Sequence, residues 1–163
     1  MSDRRQMGDD QRVTAEEKEP RTETVTLTVP SHPKYLYVVR SALYPIVRST
    51  GFSKQDTRKI ILAIDEACSN IIKYAYEGDH TKTIALTVTV SGGEIHLRIR
   101  DSGKKVDASK ITPRRLDDIR PGGLGTHFMF AIFDTVEFDT SGERGTILTL
   151  VKKKKQVSRQ EVR

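Results

Sequence analysis

The sequence predicts an α/β (α+β) two-layer sandwich, with helices packed on one face of a mixed, mostly antiparallel sheet. Three observations lead there. Five segments read as strands and only three as helices. Neighbouring strands are joined by short glycine-bearing turns, Ser91 to Gly93 and Ser141 to Gly145, which make hairpins. The regular strand–helix alternation that a doubly wound parallel sheet requires is absent.

Taken in order, Thr22 to Val29 alternates, with Val25, Leu27 and Val29 on one face and threonines on the other, and Pro30 ends this strand. Leu36, Val39, Leu43, Ile46 and Val47 recur at helical spacing, so a helix is expected, with a kink or break near Pro45 and Gly51 closing it. Ser53 and Asp56 form a variant of a capping box and open the next helix, which should run to about Tyr76 with Gly78 as its C-terminal cap. Ile60, Ile64, Ala67, Ile71 and Ala75 line one face of that helix. Ile61, Cys68 and Ile72 widen it, and Glu66, Asn70 and Lys73 form a polar stripe on its flank. Strands follow over about Lys82 to Val90 and Glu94 to Arg100, and Asp101-Ser-Gly103 breaks the second. The polar stretch from Lys104 to Arg120, with Pro113 in it and Pro121 beyond, has the length of a lid or binding loop. Gly122 to Gly125 then leads into an apolar helix containing Phe128, Met129, Ala131, Ile132 and Phe133. The last strands are Thr135 to Thr140 and Thr146 to Val151.

A chain of 163 residues is enough for one domain with a core and too short for two comfortable ones. Residues 1–21 are polar and aperiodic and read as a disordered arm, residues 22–151 as the folded domain, and residues 152–163 as a basic tail. No apolar stretch approaches a membrane span, and the N-terminus has no apolar signal core. The single cysteine, Cys68, cannot form an internal disulfide and fits a reducing cytoplasm; on the apolar helix face it reads as a buried, inert thiol. Much of the net charge of +6 is local, in Lys152 to Lys155, Arg159 and Arg163. That run reads as a solvated tail or as a patch for nucleic acid or an acidic protein, and no aromatic residues are interleaved to stack on bases. His32, His80, His96 and His127 are scattered and lack metal-ligand spacing, so no structural zinc is expected.

Chemistry is carried by three short motifs. Glu66 and Asn70 stand four residues apart on one helix face. A carboxylate there can act as a general base, and an amide oxygen one turn on is a hard ligand for Mg²⁺, although solvated surface polars have the same spacing. Asp101-Ser-Gly103 ends a strand. It can be an ordinary turn, or a carboxylate that accepts a hydrogen bond from an exocyclic amine while glycine admits the ligand to the backbone. Gly122, Gly123 and Gly125 precede a helix, whose free N–H groups and positive dipole end suit a phosphate. No Gly-Lys-Ser/Thr follows, which excludes a Walker A loop, and the spacing does not fit the dinucleotide fingerprint.

In this order the motifs resemble those of the GHKL ATPases. The run EACSNIIKYAY from Glu66 to Tyr76 resembles their N box, Asp101 to Gly103 the adenine-binding G1 box, and Gly122 to Gly125 the G2 box at the end of the ATP lid. Gly145-Thr146 resembles the closing Gly-Thr, and the match spans roughly residues 22–151. The short chain and the Gly-Gly-Leu-Gly spelling are similar to the bacterial anti-sigma serine/threonine kinases. Lys105 stands where many members have a second glycine, and Thr126-His127 is more polar than usual. The resemblance implies ATP and Mg²⁺ as cofactors. It implies Glu66 as catalytic base, Asn70 as magnesium ligand, and Asp101 with Gly103 and Thr146 at the adenine. Gly122, Gly123, Leu124 and Gly125 would lie at the phosphates. Lys73 would neutralise phosphate charge or remain an exposed helix lysine. It further implies a cytoplasmic homodimer that binds a sigma factor and phosphorylates a serine on a STAS-domain antagonist, without direct contact to membrane or nucleic acid. A non-catalytic ATP-binding module is the alternative. A sensor histidine kinase is disfavoured, because the residues after the four histidines are Pro33, Thr81, Leu97 and Phe128, not acidic.

Overall fold

The computed structural model describes residues 22–107 and 124–155. The expected arm, most of the expected lid with Gly122 and Gly123, and residues 156–163 of the expected tail lie outside the described residues. The described elements are β1 (Glu23–Pro30), a short 3-10 turn (Pro33–Tyr35), α1 (Leu36–Ser49), α2 (Lys54–Asn70) continued by a π-helical turn (Ile71–Ala75), β2 (Thr83–Ser91), β3 (Glu94–Arg100), α3 (Leu124–Ile132), β4 (Thr135–Asp139) and β5 (Ile147–Lys153). The strands form one sheet in the order β1-β2-β3-β5-β4, and every pairing among the described residues is antiparallel.

Register explains the layering. Leu27, Leu86, Ile99, Leu148 and Phe138 stand opposite one another across the sheet, and Val25, Val88, Leu97, Leu150 and Val136 form a second such row. Because strand side chains alternate, both rows project to the same face. There all but Val25 join Val39, Leu43, Ile60, Ile64 and Cys68 of the helices in one core. The intervening row, Thr87, Arg98, Thr149 and Glu137, is polar and partly or fully exposed. At the β1 edge the core thins: Val29 is buried, but Val25 is 43% exposed.

Four local expectations change. α1 runs through Pro45 without a break. Pro45 lies on the exposed side, while Val39, Leu43 and Val47 hold the opposite face in the core, so packing outweighs the lost backbone hydrogen bond. α2 opens as expected, with Ser53 Oγ accepting the Asp56 N–H at 3.0 Å, but after Asn70 its backbone shifts to π-helical bonding. α3 begins at Leu124, so Leu124 and Gly125 belong to the helix rather than to a loop before it. β5 extends to Lys153, with the Lys153 N–H donating to Asp134 at 2.7 Å and Lys152 Nζ lying 2.9 Å from the same carboxylate. Half of the lysine run is therefore strand.

Candidate functional site

β3 delivers Asp101 to the end of the sheet, where it is buried. Its N–H donates to the Thr146 carbonyl at 3.1 Å, and its Oδ1 accepts the Gly103 N–H at 2.8 Å. Burial pushes the Asp101 carboxyl up from the usual carboxylate range, opposed by backbone hydrogen bonds at Gly103 and Thr146. The Gly103 bond fixes the plane of the carboxylate. An ionised carboxylate has about four lone-pair sites, more than these backbone N–H groups use, so it can also accept from an exocyclic amine.

Two glycines make this packing possible. Gly145 has φ +75°, and a Cβ on it would lie 2.7 Å from the Asp101 carbonyl carbon and 2.8 Å from Ser102 Cα. Its N–H donates to the Gly103 carbonyl at 3.0 Å. A Cβ on Gly103 would lie 2.6 Å from the Ala75 carbonyl carbon. Gly103 is thus required first by the protein's own backbone, because the π-helical turn after α2 presses against it. The Lys104 N–H donates to the Ala75 carbonyl at 2.8 Å. Thr146 is buried beside Asp101, and its hydroxyl accepts the Val106 N–H at 3.4 Å.

The structure therefore brings Asp101, Gly103, Gly145 and Thr146 into one hydrogen-bonded knot and docks it on the segment that continues the helix of Glu66 and Asn70. Glu66 and Asn70 are half-buried on α2, one turn apart, and Lys73 is exposed. Among the described residues no hydrogen bond joins these three to the Asp101 knot. Leu124 and Gly125 form the first turn of α3, while Gly122 and Gly123 lie outside the described residues. A cleft of about 400 Å³ beside the knot is lined by Tyr76, Ser102, Gly103, Lys104 and Arg144 among others.

Other groups do not compete. Cys68 is fully buried, and burial pushes its thiol up to about 12, with Asp65 adding to the effect, so it is no nucleophile at neutral pH. His32 and His80, distant in sequence, have ring centroids 4.3 Å apart, yet among the described residues no group of three or more His, Cys, Asp or Glu could hold a metal. No described helix is long and apolar enough to cross a membrane. Sequence reasoning missed the Ala75 carbonyl and Tyr76 as partners of the Asp101 loop. Its only available signal was that both fall at the end of the expected N box.

The comparisons with known proteins agree with this geometry. Residues 29–152 match the model of the histidine kinase-like ATPase domain. The serine-protein kinase RsbW of Halalkalibacterium halodurans is 26% identical over 138 residues, covering 80% of this chain and 83% of that protein. RsbW of Listeria monocytogenes (serotype 4b, strain F2365) is 26% identical over 141 residues, covering 82% and 90%. RsbW of Bacillus subtilis is 25% identical over 120 residues, covering 69% and 75%. The resemblance read from the three boxes is borne out: with an antiparallel two-layer fold and a buried aspartate beside its N-box helix, the chain belongs to the histidine kinase-like ATPase domain family.

Proposed function

We propose that the protein is an ATP-dependent serine kinase that binds a sigma factor and phosphorylates a serine on a STAS-domain antagonist. One observation carries the reading: the buried Asp101, locked by Gly103, Gly145 and Thr146, abuts the end of the helix that bears Glu66 and Asn70. A base-binding carboxylate and a base-plus-ligand pair thus belong to one site. The relatives named serine-protein kinase support the choice of a serine as acceptor.

In this reading the Asp101 carboxylate accepts a hydrogen bond from the exocyclic amine of adenine, and the close packing behind Gly103 and Gly145 fixes the loop that carries it. The donor set suits Mg²⁺: one hard amide oxygen, from Asn70, is what a magnesium held mainly by phosphates and water needs from a protein. Bound Mg-ATP supplies the transferable phosphoryl group. Glu66, half-buried one turn before Asn70, takes the proton of the acceptor serine hydroxyl. Leu124 and Gly125 offer first-turn N–H groups of α3 to phosphate oxygens, with Gly122 and Gly123 before them, and Lys73 adds positive charge from the exposed flank. Catalysis is then mainly positioning and charge neutralisation. The functional form is a cytoplasmic homodimer, with residues 22–151 as the catalytic domain.

The test is phosphate transfer. With radiolabelled Mg-ATP the protein should label a serine on a STAS-domain protein of its own organism and should not label itself stably. The label should survive acid, which destroys phosphohistidine. The labelled partner should bind more weakly, since added negative charge is costly to desolvate in an interface. ATP binding without transfer to any STAS protein would refute the kinase and leave an ATP-binding module.

A further inference from the structure

We propose that Tyr76 is the positioning residue of the base-binding loop, holding Asp101 in place through its hydroxyl without touching the nucleotide. The inference rests on the ATP reading above. It begins with the π-helical turn. The Tyr76 N–H donates to the Ile71 carbonyl, five residues back, at 2.9 Å, and the Ile72 carbonyl is left to the Gly78 N–H, also at 2.9 Å. The wider turn changes the direction of the residues that end it. Ala75 then presents its carbonyl to Lys104, and the Tyr76 ring enters the core, where it is 5% exposed.

The hydroxyl of that ring has a complete proton assignment. It donates to the Thr83 carbonyl at 2.5 Å and accepts the Ser102 N–H at 2.9 Å, with Ser102 Oγ at 3.4 Å. Thr83 opens β2, and Ser102 directly follows Asp101. The backbone of the loop is thereby pinned at four consecutive amides. Asp101 donates to Thr146, Ser102 to Tyr76, Gly103 to the Asp101 carboxylate and Lys104 to Ala75. Two of the four partners lie in the segment that closes α2. The helix that carries Glu66 and Asn70 thus also sets the loop that carries Asp101, and Tyr76 is the side chain that links them.

Removing the hydroxyl should loosen the loop without unfolding the chain. Phenylalanine keeps the buried ring, and the adjoining cleft of about 400 Å³ admits water to the Ser102 N–H. The test uses the full-length Tyr76→Phe variant with two measurements. Amide hydrogen exchange by NMR, without nucleotide, should be about tenfold faster at Ser102 and Gly103 and unchanged at Ile99 in the core of β3. Calorimetry should show ATP affinity reduced about tenfold while the affinity for inorganic tripolyphosphate, which lacks the base, is unchanged. Unchanged exchange at Ser102 and Gly103 overturns the proposal, and so does an equal loss of ATP and tripolyphosphate affinity, which marks general loosening. A wild-type protein that binds no ATP refutes the ATP reading instead, and the exchange measurement alone then decides whether Tyr76 holds the loop.

Discussion

The two ends of the site are built differently. At the proposed base end, Asp101, Gly103, Gly145 and Thr146 are close-packed and hydrogen-bonded to one another, with a buried carboxylate at the centre. At the proposed phosphate end, Glu66 and Asn70 are half-buried on α2 and Lys73 is exposed on the π-helical turn that continues it. The first end is preorganised by the fold and will not forgive a change of shape. The second depends on the chemistry of single side chains and should lose function without losing structure.

The sharpest separation should come from Glu66→Gln. The amide keeps the shape of the carboxylate and removes its basicity, so phosphotransfer should fall by about 10²–10⁴. ATP affinity and melting temperature should stay at wild-type values. Quench-flow kinetics beside calorimetry would check this, and a parallel loss of binding would erase the distinction between the two ends.

Gly145→Ala should act in the opposite way. It forces a side chain into a left-handed conformation and into the Asp101 backbone, which should cost about 2–4 kcal/mol of stability. Urea titration followed by circular dichroism would measure it. A variant as stable as wild type would show that the knot is slack.

How much of this was legible in the sequence follows the same division. The flank shared by Glu66 and Asn70 could be read because both lie on the regular part of α2, where spacing alone fixes which side chains share a flank, whereas Lys73 falls in the π-helical turn. Strand bounds fell within about two residues of the expected ones, since alternation in β1, β2 and β3 is strong. The base end was legible only as motifs. Nothing in the residues 71–75 announces a π-helical turn, so the Ala75 carbonyl and the Tyr76 hydroxyl could not be assigned to the Asp101 loop. Pro45 misled for a related reason. Local propensity argues for a break there, and the core contacts of Val39, Leu43 and Val47 decide against it. Lys152 and Lys153 read as tail by charge, but their pairing with β3 and their contacts with Asp134 make them strand.

Asp101→Asn should weaken ATP binding by roughly ten- to a hundredfold, because it replaces a charged acceptor by an amide that turns a donor toward the adenine amine. Unchanged affinity in calorimetry would remove Asp101 from the site. Asn70→Ala should leave the fold intact and abolish the gain in nucleotide affinity that Mg²⁺ brings. If that gain persists, the magnesium ligand lies elsewhere, and the phosphate end is not the one described.

The smallest effect has the most telling sign. Burial raises the Asp101 carboxyl in the folded chain, so between the unfolded value near 3.8 and the raised one the native state binds the extra proton. Stability through this group therefore falls as pH rises across that window, and above it the full cost of a buried carboxylate is carried. Asparagine is neutral at every pH and keeps an oxygen for the Gly103 N–H. Asp101→Asn should accordingly be more stable than wild type near neutral pH, with a higher melting temperature. The gain should shrink as pH falls through the window and vanish below it. Calorimetric melting from about pH 3 to 8 tests this. A gain that does not vary with pH would mean that desolvation is not its source. A loss of stability at neutral pH would mean that the Asp101 charge helps to hold the knot together, and the base end would then be a structural site before it is a binding one.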